Sequence, residues 1–118
     1  MSGDSCIFCR IIGGELPANK LFEDDTMVAF HDIHPCAPVH FMVVPKAHIA
    51  SMAELRPEHA GTIGRIMTRI PELALAEGLT DGWRTIINTG RVGRQDVYHI
   101  HIHVIGGPDP LGPMVLRG

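Results

Sequence analysis

Histidine and apolar residues alternate along residues 97–105, a segment ended by a Gly-Gly-Pro sequence. Successive side chains of a strand point to opposite faces, so His99, His101 and His103 would share one face and the apolar residues the other. We therefore predict one long strand over residues 97–105 with its apolar face in the core. Three imidazoles are costly to bury without partners, because each brings a donor and an acceptor. The histidine face thus indicates a site that grips a ligand.

The rest of the chain predicts short strands and one long helix. Apolar residues recur at three- and four-residue steps over residues 57–77, which is typical of a helix with one buried stripe. Pro71 lies inside that pattern and predicts a kink, while Gly78 suits the C-terminal cap. We predict a short helix or turn at 6–12 and strands at 21–23, 27–31, 40–44 and 83–88. This order of elements indicates an α+β fold with an antiparallel sheet.

The length and charge favour one small domain, spanning residues 1–118, and exclude some partners. Ten Lys and Arg against thirteen Asp and Glu give a net charge of −3, which offers no excess positive field to a nucleic acid polymer or an anionic membrane. The sequence has no apolar run of about 18 residues and no secretory signal, so we expect a soluble, cytoplasmic protein. Cys6, Cys9 and Cys36 are too few for a disulfide scaffold, which favours reduced thiols, a metal site or both.

Two kinds of chemistry fit the histidine face. Neutral imidazoles can ligate a transition metal, or one imidazole can act as a nucleophile while the others handle protons and phosphate charge. The spacing does not decide between them. The loop at 89–95 favours phosphate, because its glycines let backbone amides approach an anion and Arg91 and Arg94 add positive charge. A flexible turn with solvated arginines would contain the same residues.

Several motifs, spread over nearly the whole chain, together resemble the histidine triad (HIT) superfamily. The His-x-His-x-His pattern is followed by two apolar residues and two glycines, an ending most like that of the Hint branch, the nucleoside phosphoramidases. The upstream motifs are Cys6-Ile7-Phe8-Cys9, Phe30-His31-Asp32-Ile33, His40 with an apolar strand, Pro45-Lys46-Ala47-His48, Asn88-Thr89-Gly90, Gly93 and Gln95. The resemblance implies a five-stranded antiparallel sheet with one long helix and a short N-terminal helix. It also implies that the sheet extends across a homodimer, with residues 107–118 as a Pro-rich tail.

The resemblance further implies a hydrolase that acts on nucleoside 5′-monophosphate derivatives, such as an AMP phosphoramidate. His101 would attack the α-phosphorus and carry the nucleotide covalently until water releases it, while His103 and His40 hold phosphate oxygens and manage the proton. No metal is needed for this step, and the expected ligand is a purine nucleotide, AMP or GMP. The implied nucleotide-binding residues are Ile7, Phe8, Phe30 and Ile33 around the base, Asp32 and Asn88 at the ribose, and Gly93, Gln95, Asp96, Val97, His101 and His103 elsewhere in the site.

The chain departs from the family pattern at two places. The Hint branch often has serine or threonine at position 96, which can donate a hydrogen bond to the phosphate or the leaving group. An ionised Asp96 can only accept, and it would repel phosphate. Some relatives also have a tryptophan near the C-terminus, whereas the single tryptophan here is Trp83. We therefore expect a different leaving-group preference.

A Cys-x-x-Cys motif at Cys6 and Cys9 suggests a metal site in addition to the histidine face. Two thiolates and two imidazoles close a tetrahedral structural zinc site, and the resemblance supplies His48 and His99 as the other two ligands. The alternative is that the cysteines are small buried apolar residues. If His99 is a ligand its role is structural, and His101 and His103 remain as the reacting histidines.

Three functions are therefore open. The first is the nucleotide hydrolase. The second is a nonenzymatic nucleotide-binding or scaffolding module with weak turnover, which Asp96 and the altered tail would favour. The third is a metal-dependent hydrolase that uses the triad as ligands. The sequence disfavours the third, because histidine ligands in such enzymes are usually completed by carboxylates and the last strand has none between its histidines.

Overall fold

Five strands pair into one antiparallel sheet in the computed structural model, which describes residues 6–115. The strands are β1 (Lys20–Glu23), β2 (Met27–His31), β3 (Val39–Pro45), β4 (Arg84–Ile86) and β5 (Ile102–Gly106). The helices are α1 (Ile7–Ile12) and α2 (Ala60–Ala76), with short 3-10 turns at Met52–Glu54 and Pro57–His59. The strand order is β1-β2-β3-β5-β4, and every pair is antiparallel. The predicted class, including the long helix and the short N-terminal helix, is confirmed.

Helix α2 covers one face of the sheet. Its buried residues Ile66, Ile70, Leu73 and Ala74 pack on apolar side chains of the central strands. The helix continues through Pro71 and ends in a Schellman motif, in which Leu79 N–H donates to the Ala74 carbonyl at 3.0 Å. Gly78 makes this turn with φ of 90°, as the predicted cap requires.

Helix α1 covers the opposite face. Phe8 and Ile11 pack there with Val28, Phe30, Met42 and Val44, which alternate along β2 and β3 with the residues facing α2. The side chains of His40, His101 and His103 lie on this same face as α1. His103 pairs with Met42 across β3 and β5, and His40 and His101 are each two residues from one of this pair. The two faces of the sheet therefore serve different purposes: α2 closes the larger core, and the histidines lie on the side of α1.

The predicted strand over residues 97–105 is too long. Strand β5 begins at Ile102, and residues 97–99 form a bend. Continuing the register would place Ile100 opposite Pro45, which has no N–H to donate. Instead, Ile100 N–H donates to the Ile49 carbonyl at 2.7 Å. The strand predicted at 83–88 is likewise shorter, since β4 covers only Arg84–Ile86.

Within the described residues, no helix is both long and apolar enough to cross a membrane. Strand β4 is one edge of the sheet, and the extension of the sheet across a homodimer stays a prediction.

Candidate functional site

Two histidines from neighbouring strands form a hydrogen-bonded pair. His40 on β3 and His103 on β5 are diagonal neighbours, and His40 Nε2 lies 2.8 Å from His103 Nδ1. The backbone N–H of Cys36 donates to His40 Nδ1 at 3.1 Å. Because that nitrogen accepts, a neutral His40 has its proton on Nε2 and donates it to His103. The proton of a neutral His103 is then on Nε2, which is free to meet a ligand.

Burial keeps this pair neutral. Loss of solvent lowers the pKa of His40, and the Asp32 carboxylate opposes that shift only in part. Burial also lowers the pKa of His103, and the neighbouring His101 and His40 rings lower it further. At neutral pH the pair therefore has no net charge before a ligand arrives.

Asp32 lies beside the pair. Its Oδ2 is 3.4 Å from His40 Nε2, and its Oδ1 accepts a hydrogen bond from the backbone N–H of His34 at 2.8 Å. The family resemblance implied that Asp32 contacts a ribose, and that contact stays a prediction. What the geometry adds is a carboxylate next to the imidazole pair.

His101 lies on the other side of His103, with ring centroids 5.0 Å apart. Its Nδ1 is 2.8 Å from the carbonyl oxygen of His99. A carbonyl can only accept, so Nδ1 carries the proton and Nε2 of the neutral ring carries the lone pair. The ring of Phe8 meets His101 edge-on at 5.1 Å and covers it from α1. His101 is thus a buried imidazole with one nucleophilic nitrogen.

Asp96 approaches that nitrogen from the preceding loop. Its Oδ1 lies 3.4 Å from His101 Nε2 and also accepts from Val97 N–H at 2.9 Å. The neighbouring Gln95 is buried and its side chain forms three hydrogen bonds with backbone groups: Oε1 accepts from Gly90 N–H, and Nε2 donates to the carbonyls of Ala50 and Val97. In this geometry Gln95 holds the loop, and its predicted contact with a nucleotide stays a prediction.

The residues predicted to surround a base are divided between core and surface. Phe8 and Phe30 are buried against each other, with ring centroids 5.5 Å apart. Ile7 and Ile33 are exposed, Ile33 by 84%. Asn88, Gly93 and Val97 are half-buried in or next to the loop that leads to the bend. The structure therefore brings together the histidines, Asp32, Asp96 and Phe8, while the side chain of Ile33, next to Asp32 in the chain, lies in solvent.

The two cysteines and two histidines predicted as metal ligands do converge. The nearest atoms are Cys6 Sγ to His99 Nδ1 at 3.4 Å, Cys9 Sγ to His48 Nδ1 at 3.2 Å, and Cys9 Sγ to His99 Nδ1 at 3.6 Å. A tetrahedral zinc ion with Zn–S of about 2.3 Å and Zn–N of about 2.1 Å separates sulfur from nitrogen by about 3.6 Å. The four side chains could therefore hold a metal ion.

The surroundings of this cluster fit zinc as well. His99 Nε2 lies 2.8 Å from the Pro45 carbonyl, so it carries the proton and leaves Nδ1 free as a ligand atom. Burial, together with the adjacent Cys6 thiol, raises the pKa of Cys9 to about 11. Metal binding must therefore release a proton from this thiol.

A second set of ligand atoms corrects one sequence argument. The last strand has no carboxylate between its histidines, but Asp32 from the end of β2 supplies one. Asp32, His40 and His103 place their ligand atoms within 4.8 Å of one another. Two imidazoles and one carboxylate are a common transition-metal set, so the absence of a carboxylate on the last strand does not argue against a metal here.

Several functional groups are invisible to motif reading because they belong to the backbone. The Cys36 N–H, the His99 carbonyl and the Pro45 carbonyl each fix the protonated nitrogen of a histidine. The proximity of Asp96 to the nucleophilic nitrogen depends on the bend at 97–99, which the alternating pattern hides.

Comparisons with known proteins show the family of the chain. Residues 5–112 match the family model described as scavenger mRNA decapping enzyme C-term binding. Protein HitA of Neisseria gonorrhoeae is 50% identical over 105 residues, which cover 89% of this chain and 98% of that protein. The purine nucleoside phosphoramidase of Escherichia coli K12 is 42% identical over 113 residues, covering 95% of this chain and 94% of the enzyme.

Solved structures give the same result. A HIT family hydrolase from Legionella pneumophila superposes with a TM-score of 0.88 at 42% identity, covering 92% of this chain and 98% of that one. A zinc-bound histidine triad family protein from Mycobacterium smegmatis superposes with a TM-score of 0.76 at 35% identity, covering 88% of this chain and 76% of that one. The chain therefore belongs to the histidine triad (HIT) family and is a homologue of purine nucleoside phosphoramidase.

Proposed function

We propose that the protein hydrolyses nucleoside 5′-monophosphate derivatives of the AMP phosphoramidate type, through a covalent nucleotide on His101. The observation that carries the proposal is the hydrogen bond from His101 Nδ1 to the His99 carbonyl, which leaves Nε2 as a buried, oriented nucleophile. The homology to purine nucleoside phosphoramidase supports this substrate class.

In the first step, the Nε2 lone pair of His101 forms a bond to the α-phosphorus while the bond from phosphorus to the amine breaks. The amine needs one proton to leave. The anionic phosphate would favour an added proton on His40 Nδ1, in place of the contact with Cys36 N–H. His103 Nε2 then gives its proton to the amine, while His103 Nδ1 takes one from His40 Nε2. In the second step, water forms a bond to phosphorus while the bond from phosphorus to His101 Nε2 breaks. One proton of the water returns to the pair through His103 Nε2, and AMP leaves.

We propose that the nucleoside contacts the residues that the family resemblance implies. Asp32 and Asn88 would bind the ribose hydroxyls, because a carboxylate and an amide both accept from a diol. Phe8 and Phe30, with Ile7 and Ile33, would flank the purine of AMP or GMP. The homology supports these contacts, and a structure with AMP bound tests them.

The test is turnover of an AMP phosphoramidate by wild type and His101→Ala, each with and without chelator. We expect chelator-resistant turnover in the wild type and none in the variant. His59→Ala, in the 3-10 turn before α2, is the matched control and should retain activity. Rapid denaturation during turnover of a substrate labelled at its phosphate should leave label on wild-type protein. Turnover by His101→Ala would refute the proposal.

Two other functions are each supported by one observation. The Asp32, His40 and His103 set favours a metal-dependent hydrolase, which loss of turnover with chelator would identify. The Asp96 carboxylate, 3.4 Å from His101 Nε2, favours a nonenzymatic nucleotide-binding module, because it would keep a bound phosphate away from that nitrogen. Binding of AMP without any turnover would identify that module.

The Cys6, Cys9, His48 and His99 cluster is proposed to hold a structural zinc ion. When bound, zinc would link the start of α1 to the segment before β5 and take no part in the reaction. The thiol and imidazole donors and the zinc-bound relative support this assignment.

A homodimer is proposed as well. Strand β4 lies at an edge of the sheet, and exposed edges of this kind are usually covered. Sedimentation at micromolar concentration tests the assembly, and a monomer there would contradict it.

A further inference from the structure

The side chain of Asp96 places a negative charge at the solvent side of the nucleophile. The side chain of His101 is 2% exposed, while that of Asp96 is 78% exposed, and only 3.4 Å separates Asp96 Oδ1 from His101 Nε2. Phe8 and His103 contact other parts of the same ring. A substrate that comes from solvent to Nε2 therefore passes next to the carboxylate.

This carboxylate is held in place. Its Oδ1 accepts from Val97 N–H at 2.9 Å, and the flanking Gln95 donates to the Val97 carbonyl on the other side of position 96. The charge is fixed before the substrate arrives, so no ordering of a flexible side chain is needed to use it.

Among the residues that the structure describes, no lysine or arginine forms an ion pair with Asp96. Its contact with His101 is made to the unprotonated Nε2 of the neutral ring. Arg91 and Arg94 in the same loop are exposed, but neither pairs with Asp96. The phosphate of a substrate cannot satisfy this carboxylate, since both are anions.

We propose that Asp96 is a specificity-determining residue, which favours substrates whose leaving amine carries a second, positively charged group. The inference rests on the proposed function. Displacement at phosphorus places the leaving amine in line with Nε2, on the solvent side where Asp96 lies. An ammonium group a few atoms along the leaving group then lies within a Debye length of the carboxylate, and it offsets the repulsion of the phosphate.

The experiment compares two AMP phosphoramidates of nearly equal shape. The leaving amine of one ends in a trimethylammonium group, and that of the other in an uncharged tert-butyl group. The preference for the cationic substrate, as a ratio of kcat/KM, is measured for wild type, for Asp96→Asn and for Asp81→Asn. Dividing the wild-type ratio by the variant ratio cancels the intrinsic difference in reactivity of the two amines.

We expect the preference to fall by about threefold in Asp96→Asn, the size expected for an exposed ion pair. This substitution should keep the local backbone in place, because the amide oxygen of asparagine can still accept from Val97 N–H. Asp81→Asn removes the same charge from a residue before β4 that lines a separate cavity with Trp83 and Arg84, and it should leave the preference unchanged.

The wild-type preference should also shrink at high ionic strength, where exposed charges are screened. Turnover of both substrates with the same preference in wild type and Asp96→Asn would overturn this inference alone. Turnover of neither substrate by wild type would overturn the proposed function and the inference with it.

Discussion

Gln95 offers a sharp test of how the loop before the nucleophile is held. Its buried side chain makes three hydrogen bonds, to Gly90 N–H at 2.9 Å, to the Ala50 carbonyl at 2.8 Å and to the Val97 carbonyl at 2.9 Å. All three partners are backbone groups: Gly90 and Val97 lie near the two ends of the loop, and Ala50 lies in the segment after β3. We predict that Gln95→Ala destabilises the protein and lets Asp96 drift from His101.

The magnitude follows from the bonds. Each hydrogen bond contributes about 1 kcal/mol net, so the substitution should lower the free energy of unfolding by about 3 kcal/mol. With an unfolding entropy of about 2.1 cal/mol/K per residue, this corresponds to a fall in Tm of about 12 °C. Gln95→Glu should cost at least as much at neutral pH. It keeps an acceptor for Gly90 N–H but turns a carboxylate toward two carbonyl oxygens.

Thermal unfolding and urea titration measure the stability of both variants, and AMP phosphoramidate turnover measures the site. The alternative is that Gln95 mainly contacts the nucleotide, as the family pattern predicts. A variant with a Tm within about 3 °C of wild type but a clearly higher KM would support that contact and refute a loop-holding role for Gln95.

Purified protein should contain about one equivalent of zinc per chain, which is lost in Cys6→Ser together with a fall in Tm; metal-free protein in both cases would reject the site. The lowered pKa values of His40 and His103 mean that the unfolded chain binds more protons, so the free energy of unfolding should fall as pH drops from about 6.5 toward those lowered values. Urea titrations at several pH values check this slope, which His103→Gln should reduce. Gly93→Ala would place a Cβ 2.5 Å from a backbone oxygen and should cost about 1–3 kcal/mol in thermal unfolding. Gly64→Ala, in open space on α2, should instead stabilise slightly, and equal effects of the two alanines would contradict the crowding at Gly93.

The elements that alternate or repeat clearly were predictable from the sequence. The apolar stripe of α2 lies where three- and four-residue steps place it. Strands β2 and β3 lie at the predicted apolar runs, which are buried nearly throughout because helices cover both faces of the sheet. The same rule failed at residues 97–101. The alternation persists there, but Pro45 cannot complete the ladder and the chain bends away.

The three histidines still lie close together, although the strand begins later than predicted. His99 and His101 both contact Phe8, with ring centroids 5.9 and 5.1 Å from it, and His103 packs on His101. What no pattern could give is which nitrogen of each ring is protonated, since backbone carbonyl and amide groups decide it and the sequence does not show which of them a ring meets. The approach of Asp32 to His40 and of Asp96 to His101 likewise depends on loop geometry.

His99 serves two neighbours with different parts of one residue. Its ring points toward the thiols, while its carbonyl oxygen accepts a hydrogen bond from His101 Nδ1. The second task uses a group that every amino acid possesses. A substitution at position 99 can therefore remove a ligand of the proposed zinc site and still leave the carbonyl that fixes the tautomer of His101. The proposed nucleophile and the proposed metal site are adjacent in the chain, yet they depend on different parts of His99.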